Sequence, residues 1–217
     1  MSILIADSGS TKTQWCLING KEKKKFKTQG LSPYFLNTAQ MTEVLTRELL
    51  PALSKKRPGE IYFYGTGCAT PANKSIVKAS LKKVLGNMPI TVEHDLLAAA
   101  RALCGHEKGI ACILGTGSNS CYFNGKRIVR NNPGLGYVLG DEGSGAYLGK
   151  KLLQHYLYNT FDADLLDRFH AAFPGISAAE ILDNVYRKPF PNRYLAGFSL
   201  FLAENRNHYL IANILED

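Results

Sequence analysis

A short unit occurs twice in the chain, and it constrains the fold more than any other feature. Ile3 to Ala6 is an apolar run that ends at Asp7-Ser8-Gly9-Ser10, followed by the extended segment Thr13 to Ile18 and then Asn19-Gly20. Gly109 to Leu114 is again apolar and runs into Gly115-Thr116-Gly117-Ser118, followed by the extended Ser120 to Phe123 and Asn124-Gly125. Each copy has an apolar strand, a small-residue turn carrying x-Gly-Ser, a second strand, and Asn-Gly reversing the chain into a third. Asn-Gly between extended segments is the strongest short hairpin signal, because both central residues then take positive φ. The second copy is three residues shorter between turn and hairpin. Two such units in the same order predict an internal duplication. Its boundary falls near Gly105 to Gly109, giving domains over 1–106 and 107–217.

Between the copies, helical and extended patterns alternate. Met41, Val44, Leu45 and Leu49 share one face of a helix over Thr38 to Leu53, with Pro51 and Pro58 punctuating its end. Glu60 to Tyr64 reads as a strand running into Gly65-Thr66-Gly67, and Ala72 to Leu85 as a helix. Pro89 to Glu93 reads as a strand that stops at His94-Asp95, and Leu96 to Leu103 as a helix. After the second copy comes a Gly/Pro-rich loop, Asn131 to Gly136 (with Pro133 inside it). Helical stretches follow at Ala146 to Tyr158, Asp164 to Phe173, Ala178 to Tyr186, and Asn192 to Ala203 onward. The fold class is therefore α/β, with a second half that is helix-rich and lacks the strands needed to mirror the first.

Composition narrows the function classes. At about 150 residues per domain, 217 residues make one to two domains. Hydrophobic residues at 45% exclude a disordered chain. No run approaches the ~18 apolar residues of a membrane span. The opening MSILIAD has no basic leader and does not read as a secretory signal. A net charge of +8 raises the question of nucleic acid, yet the densest basic cluster, Lys21 to Lys27, follows a hairpin turn and reads as a solvated strand edge. Neither a nucleic-acid nor a membrane partner is expected. Cys16, Cys68, Cys104, Cys112 and Cys121 make an odd count without C-x-x-C spacing. They read as free thiols in a reducing cytoplasm, mostly small buried apolar residues. The five histidines show no ligand spacing.

The two glycine turns suit phosphate. Glycine lets the backbone approach closely and point successive N–H groups at anionic oxygens. Ser8, Ser10, Thr11, Thr116 and Ser118 add hydroxyl donors, and Lys12 a positive charge. A tight β-turn needing glycine alone is the other reading. The common nucleotide motifs do not fit: Gly149-Lys150 lacks the first Gly and the Ser/Thr of a P-loop, and Gly134, Gly136 and Gly140 miss G-x-G-x-x-G by one residue. Asp7, beside a phosphate turn, is either a turn cap or a carboxylate that tolerates phosphate through Mg²⁺. Asp95 is either a helix N-cap or a general base for an attacking hydroxyl. Asp141 and Glu142 read as first-turn acids of the following helix, with Ser144 three residues on.

Ile5-Ala6-Asp7-Ser8-Gly9-Ser10-Thr11-Lys12-Thr13 resembles the first phosphate motif, D-G-G-x-T-K-T, of the N-acetylglucosamine kinase and BadF/BadG-type ATPase family, within the actin, sugar-kinase and heat-shock-chaperone superfamily. Ile113 to Ser120 resembles its second phosphate motif, and Gly134 to Ser144 its G-W-G-x-x-x-G-D-E-G-S block, in matching order. The resemblance implies two RNase-H-like domains around a nucleotide cleft and ATP-dependent phosphorylation of a sugar hydroxyl, with an amino sugar such as N-acetylglucosamine as substrate. It implies Asp7 for Mg²⁺. It gives Gly9, Ser10, Thr11, Lys12, Gly115, Thr116, Gly117 and Ser118 to ATP, and Asp95 to the catalytic base. Thr66, Gly67, Asn119, Leu135, Gly136 and Asp141 fall to the sugar. Ser8 replaces a Gly and Leu135 a Trp of the family pattern. Members continue further, so the second domain is expected to be incomplete. Two other readings stay open: a non-catalytic sugar or nucleotide sensor, and an ATPase activator of a radical dehydratase. The latter needs cysteines shared on an iron–sulfur cluster, and Cys112 and Cys121 are expected on buried strands. The helices after Asp164 leave a homodimer open.

Overall fold

The computed structural model describes residues 2–54, 57–132 and 134–217. The chain forms two compact units. One runs through Ala111 and includes Tyr122–Val129; the other comprises Cys112–Cys121 and Arg130–Asp217.

The first unit is built on a five-stranded sheet of order β3-β2-β1-β4-β5, from β1 (Ser2–Ser8), β2 (Lys12–Asn19), β3 (Glu22–Gln29), β4 (Glu60–Gly65) and β5 (Ile90–His94). β1 and β2, and β2 and β3, run antiparallel; β1, β4 and β5 run parallel. Side chains alternate across a strand, so β1 buries Leu4, Ala6 and Ser8 on one face and turns Ile3, Ile5 and Asp7 to the other. Leu4, Trp15, Leu17, Ile61 and Phe63 form the sheet's contribution to the core. Against them pack α1 (Thr38–Val44), a π-helical segment (Leu45–Leu49), α2 (Leu50–Leu53) and α3 (Pro71–Leu85). The Trp15 indole N–H, buried with its ring, donates to Thr28 Oγ1 at 2.9 Å, so its burial leaves no unpaired polar atom. α4 (Asp95–Cys104) follows β5 directly.

The helix expected over Thr38 to Leu53 is present, as an α–π–α run. Its start is a capping box, with Asn37 accepting from Gln40 N–H and the Gln40 side chain accepting from Asn37 N–H. The first hairpin differs in register from the Asn-Gly expectation. Asn19 pairs with Glu22, so the loop is Gly20-Lys21, and only Gly20 takes positive φ (+59°). Glycine at the first loop position is what a type II′ reversal asks for.

The repeated unit reappears as a three-stranded sheet in the order β6-β7-β8: β6 (Lys108–Leu114), β7 (Ser118–Asn124) and β8 (Ile128–Asn132). Its hairpin is held by Asn124, whose side chain accepts from the Lys126 and Arg127 N–H groups at 3.0 and 2.9 Å. β8 takes Asn131 and Asn132 out of the expected loop; Pro133 lies outside the described residues. Cys121 is buried but Cys112 is exposed, contrary to expectation. Alternation explains this: Ala111 holds the buried face of β6 and its neighbour turns outward. Only Cys68 and Cys121 serve as buried apolar residues; Cys16 and Cys104 are half-buried.

The second unit continues with α5 (Gly136–Leu139), α6 (Gly145–Leu157), α7 (Ala163–Ala172), α8 (Ala178–Tyr186), α9 (Pro191–Ala196), α10 (Ser199–Glu204) and α11 (Tyr209–Glu216). Its core gathers Leu152, Leu153, Leu165, Ile181, Leu202 and Ile211 around Phe169. The Phe169 ring lies 4.9 to 6.2 Å, centroid to centroid, from Phe173, Phe198 and Phe201. Side-chain caps begin most of the longer helices: Ser144 for α6, Asp162 for α7, Ser177 for α8 and His208 for α11. The expected single helix from Asn192 is two helices, interrupted at Gly197-Phe198, where the poorest helix former in the stretch stands. Asp141 and Glu142 are not in the first turn of α6; that helix starts at Gly145 on the Ser144 cap.

Candidate active site

The parallel strands β1, β4 and β5 end together, at Ser8, Gly65 and His94. Parallel α/β sheets place ligands at this edge. The residues that follow are Gly9-Ser10, Thr66-Gly67 and Asp95, so one strand edge brings the first glycine turn, two of the sugar-contact candidates and the candidate base together.

The first turn is closed by Gly9 N–H donating to the Lys12 carbonyl at 2.9 Å. It is backed by Gly30, whose N–H donates to Thr11 O at 3.1 Å. A side chain at Gly30 would meet Gly9 O and Ser10 at 2.5 Å, so glycine is required there by close approach. Ser10 and Thr11 are half-buried and Lys12 is exposed. Ser8 is not a phosphate donor. It is fully buried, shares a hydrogen bond with Thr13 Oγ1 at 2.8 Å and accepts from Leu31 N–H at 3.1 Å. The residue that departs from the family's glycine thus pins β1 to β2 and to the chain after β3.

Asp95 is held from two sides. Thr66 donates its hydroxyl to Oδ2 at 2.5 Å, and Oδ1 accepts from Leu96 N–H at 2.9 Å. The Thr66 N–H is fixed in turn on Ser8 O at 2.8 Å. The N-cap of α4 is His94, not Asp95: its Nδ1 accepts from Leu96 N–H at 3.2 Å and lies 3.0 Å from Asp95 Oδ1. With the side chain 17% exposed, the carboxylate still reaches solvent. Asp7 titrates above the ordinary carboxylate range, through partial burial first and the negative charge of Asp95 second, with Lys12 pulling the other way.

Two further residues belong to this edge, and the sequence reading missed both. Gly67 takes φ +86°, and the Tyr34 ring covers it; a Cβ there would lie 2.9 Å from Tyr34 Cδ2. Tyr34 is 65% exposed, a large aromatic surface left open beside Thr66-Gly67. The signal for Gly30 and Tyr34 is spatial. In sequence they are only part of the loop Gly30-Leu31-Ser32-Pro33-Tyr34.

Cys68 lies beneath the same loop, and burial, then Asp95, pushes its thiol up to about 12. The thiolate is the reactive species. In the folded protein at pH 8, Cys112 is expected to label first with a thiol reagent, and Cys68 only after denaturation. Mass mapping of the labelled peptides checks this, and early modification of Cys68 contradicts it.

In the second unit the other candidates meet. Gly115 N–H donates to Gly117 O at 3.0 Å and closes the second turn. The start of α6 holds it from outside: Gly145 N–H donates to Gly115 O at 2.8 Å and Ala146 N–H to Thr116 O at 3.1 Å. Asp141 Oδ1 accepts from Ser118 N–H at 3.2 Å. Asn119 turns its Oδ1 to Ser120 N–H at 2.8 Å. Gly136, at φ +76°, opens α5, and the preceding Leu135 is 58% exposed. Lys150, set aside as a P-loop lysine, donates to Tyr137 O at 3.1 Å and pins α5 to α6. Among the described residues no group of three or more His, Cys, Asp or Glu is arranged to hold a metal, and no helix is long and apolar enough to cross a membrane.

No family model matches the chain. Similarity to solved structures defines its class. MreB5 of Spiroplasma citri bound to ADP shares the fold at a TM-score of 0.50 and 12% identity, over 73% of this chain and 57% of that one. The architecture is that of the actin-like ATPases and sugar kinases. A nearer likeness is to the protein named putative N-acetylglucosamine kinase from Porphyromonas gingivalis. It is 44% identical at a TM-score of 0.93, covering 98% of this chain and 76% of that one. N-acetyl-D-glucosamine kinase of Dictyostelium discoideum is 31% identical over 101 residues, 46% of this chain and about a third (32%) of that protein's length. The chain belongs to the N-acetylglucosamine kinase family.

Proposed function

We propose that this protein transfers the terminal phosphoryl group of ATP to a hydroxyl of an amino sugar, N-acetylglucosamine being the leading candidate. One observation carries the reading: a carboxylate at the end of a parallel strand, fixed by Thr66 and the start of α4, beside a glycine turn and a second acid. Each carboxylate oxygen has two acceptor sites, so Asp95 keeps capacity for one more proton after its two hydrogen bonds. It takes the proton of the sugar hydroxyl as that oxygen bonds to the γ-phosphorus. The bond from that phosphorus to the bridging oxygen breaks, and ADP leaves.

Asp7 would hold Mg²⁺, which when bound neutralises charge on the phosphates. The donor chemistry fits: Asp7 is an exposed carboxylate near the end of β1, two residues before the Gly9 turn. A single protein carboxylate, with waters and phosphate oxygens, is an ordinary Mg²⁺ shell. Gly9, Ser10, Thr11 and Lys12 would serve the phosphates from one turn; Gly115, Thr116, Gly117 and Ser118 from the other. Thr66, Gly67, Asn119, Leu135, Gly136 and Asp141 would bind the sugar. Five cysteines without C-x-x-C spacing suit a reducing cytoplasm. The exposed Leu182 and Tyr186 of α8 would suit a second copy, which light scattering reads directly.

The test is an ADP-release assay over a panel of sugars, with the product identified by its mass. Turnover with N-acetylglucosamine that adds one phosphoryl group supports the reading. Binding of sugar and ATP without turnover overturns it in favour of a sensor.

A further inference from the structure

We infer that Asp141 is the positioning residue of the second glycine turn, setting the Gly117-Ser118 peptide for the nucleotide's phosphates. This rests on the proposed phosphate role of that turn. It goes beyond the sugar contact that the family resemblance implies for Asp141.

The turn Gly115-Thr116-Gly117 is small and, by itself, loose. Glycine loses more conformational freedom on folding than any other residue. Two of its carbonyls are tied down by the Gly145 and Ala146 N–H groups of α6. Those bonds hold the Gly115 and Thr116 end of the turn. At the exit, the Gly117 carbonyl accepts from Gly115 N–H at 3.0 Å, and the N–H of the same peptide, at Ser118, is held by a side chain: Asp141 Oδ1 accepts from it at 3.2 Å.

The surroundings are arranged for that bond. The Asp141 carboxylate lies so close to Gly117 that a Cβ at Gly117 would stand 2.9 and 3.0 Å from its two oxygens. Gly117 has negative φ, so its backbone conformation does not demand glycine; the carboxylate does. Asp141 is itself held in the left-handed region at φ +58°, a conformation disfavoured for side-chain-bearing residues although aspartate tolerates it better than most. Its carbonyl accepts from Ser144 N–H at 3.0 Å, which joins this strained residue to the cap of α6. In the first glycine turn the holding bonds run backbone to backbone, from Gly9 N–H to Lys12 O and from Gly30 N–H to Thr11 O.

The experiment measures dissociation constants of a fluorescent ADP analogue, without sugar, for the full chain and its variants. Asp141→Gly removes the carboxylate and relaxes the backbone; the expected loss of nucleotide affinity is about tenfold. Asp141→Asn keeps an oxygen for Ser118 N–H and is expected to stay within about threefold of the parent. A charge-dependent role would lose as much in Asp141→Asn as in Asp141→Gly. Gly117→Ala is expected to weaken binding about tenfold in the parent, and to cost less in the Asp141→Gly background, where the three atoms nearest that Cβ are gone. Hydrogen exchange at Ser118 N–H, read without any ligand, should quicken about tenfold or more in Asp141→Gly.

Unchanged affinity in Asp141→Gly, tighter binding, additive double-variant losses or unchanged exchange would overturn the inference. Absence of nucleotide binding by the parent protein would instead overturn the phosphate reading, and the positioning role with it. The exchange data would still say whether the clamp exists.

Discussion

Asp95→Asn is expected to lower kcat about 10³-fold while leaving the fold intact. The amide keeps the size of the carboxylate and can still pair with Thr66 through its oxygen, or with the same hydroxyl as acceptor through its N–H. It cannot take a proton from a sugar hydroxyl. The substitution therefore removes the chemical step and spares the geometry. Burial and the Asp95 charge together raise the Asp7 titration, so removing that charge relieves a repulsion and the melting temperature should not fall. Thr66→Val is the companion variant. It deletes the hydroxyl on Oδ2 and leaves the acid in place, so about a tenfold loss in kcat is expected. Steady-state kinetics against sugar and ATP, with thermal melts of both variants, check this. An Asp95→Asn protein within tenfold of the parent would place the base elsewhere.

Much of this site was legible in the sequence because strand ends are. The strands read at Ile3 to Ala6, Glu60 to Tyr64 and Pro89 to Glu93, halting at Asp7, Gly65-Thr66-Gly67 and His94-Asp95, are present; that they run parallel and end at one edge is seen only in their pairing. The duplicated unit likewise predicted two strand meanders, and both form. What the sequence hid was set by tertiary contact. Asn19-Gly20 marks a reversal, but the register that makes Gly20-Lys21 the loop depends on how β2 and β3 pair along their length. Ser8 looks like one more hydroxyl of a phosphate turn, and only its burial against Thr13 and Leu31 shows it to be structural. The run Asp-Glu-Gly-Ser ahead of a helix has the pattern of a first turn. Its left-handed Asp141 answers to Ser118, far away in sequence. Gly30 and Tyr34 carry no local mark, since what makes them matter is the backbone or ring each one meets.

Gly149 shows the same logic on the scale of stability. Its place before Lys150 has the look of a phosphate-loop remnant, yet the structure gives it a packing task. α6 crosses α9 at this point so closely that a Cβ on Gly149 would fall 1.9 Å from the Leu195 carbonyl oxygen and 2.7 Å from its carbon. Alanine is the better helix former by about 1 kcal/mol, so propensity alone predicts that Gly149→Ala stabilises the protein. The contact reverses the sign. A backbone carbonyl cannot swing aside as a side chain does, and α9 must retreat by more than an ångström to restore contact distance. That retreat would pull Leu195 from the core it shares with Leu152 and Leu153. Overpacking of this kind costs about 3 kcal/mol or more. For a unit of about 100 residues that lowers the melting temperature by more than 10 °C. Gly145→Ala, one helical turn earlier, is the control: its Cβ would stand 3.2 Å from the Ala196 methyl and 3.3 Å from Gly115 O, close enough to cost something but not to force the helices apart. Thermal melts of the two variants should therefore separate by several degrees or more, Gly149→Ala lower. Equal melting temperatures would mean that α6 and α9 do not approach at Gly149 as described.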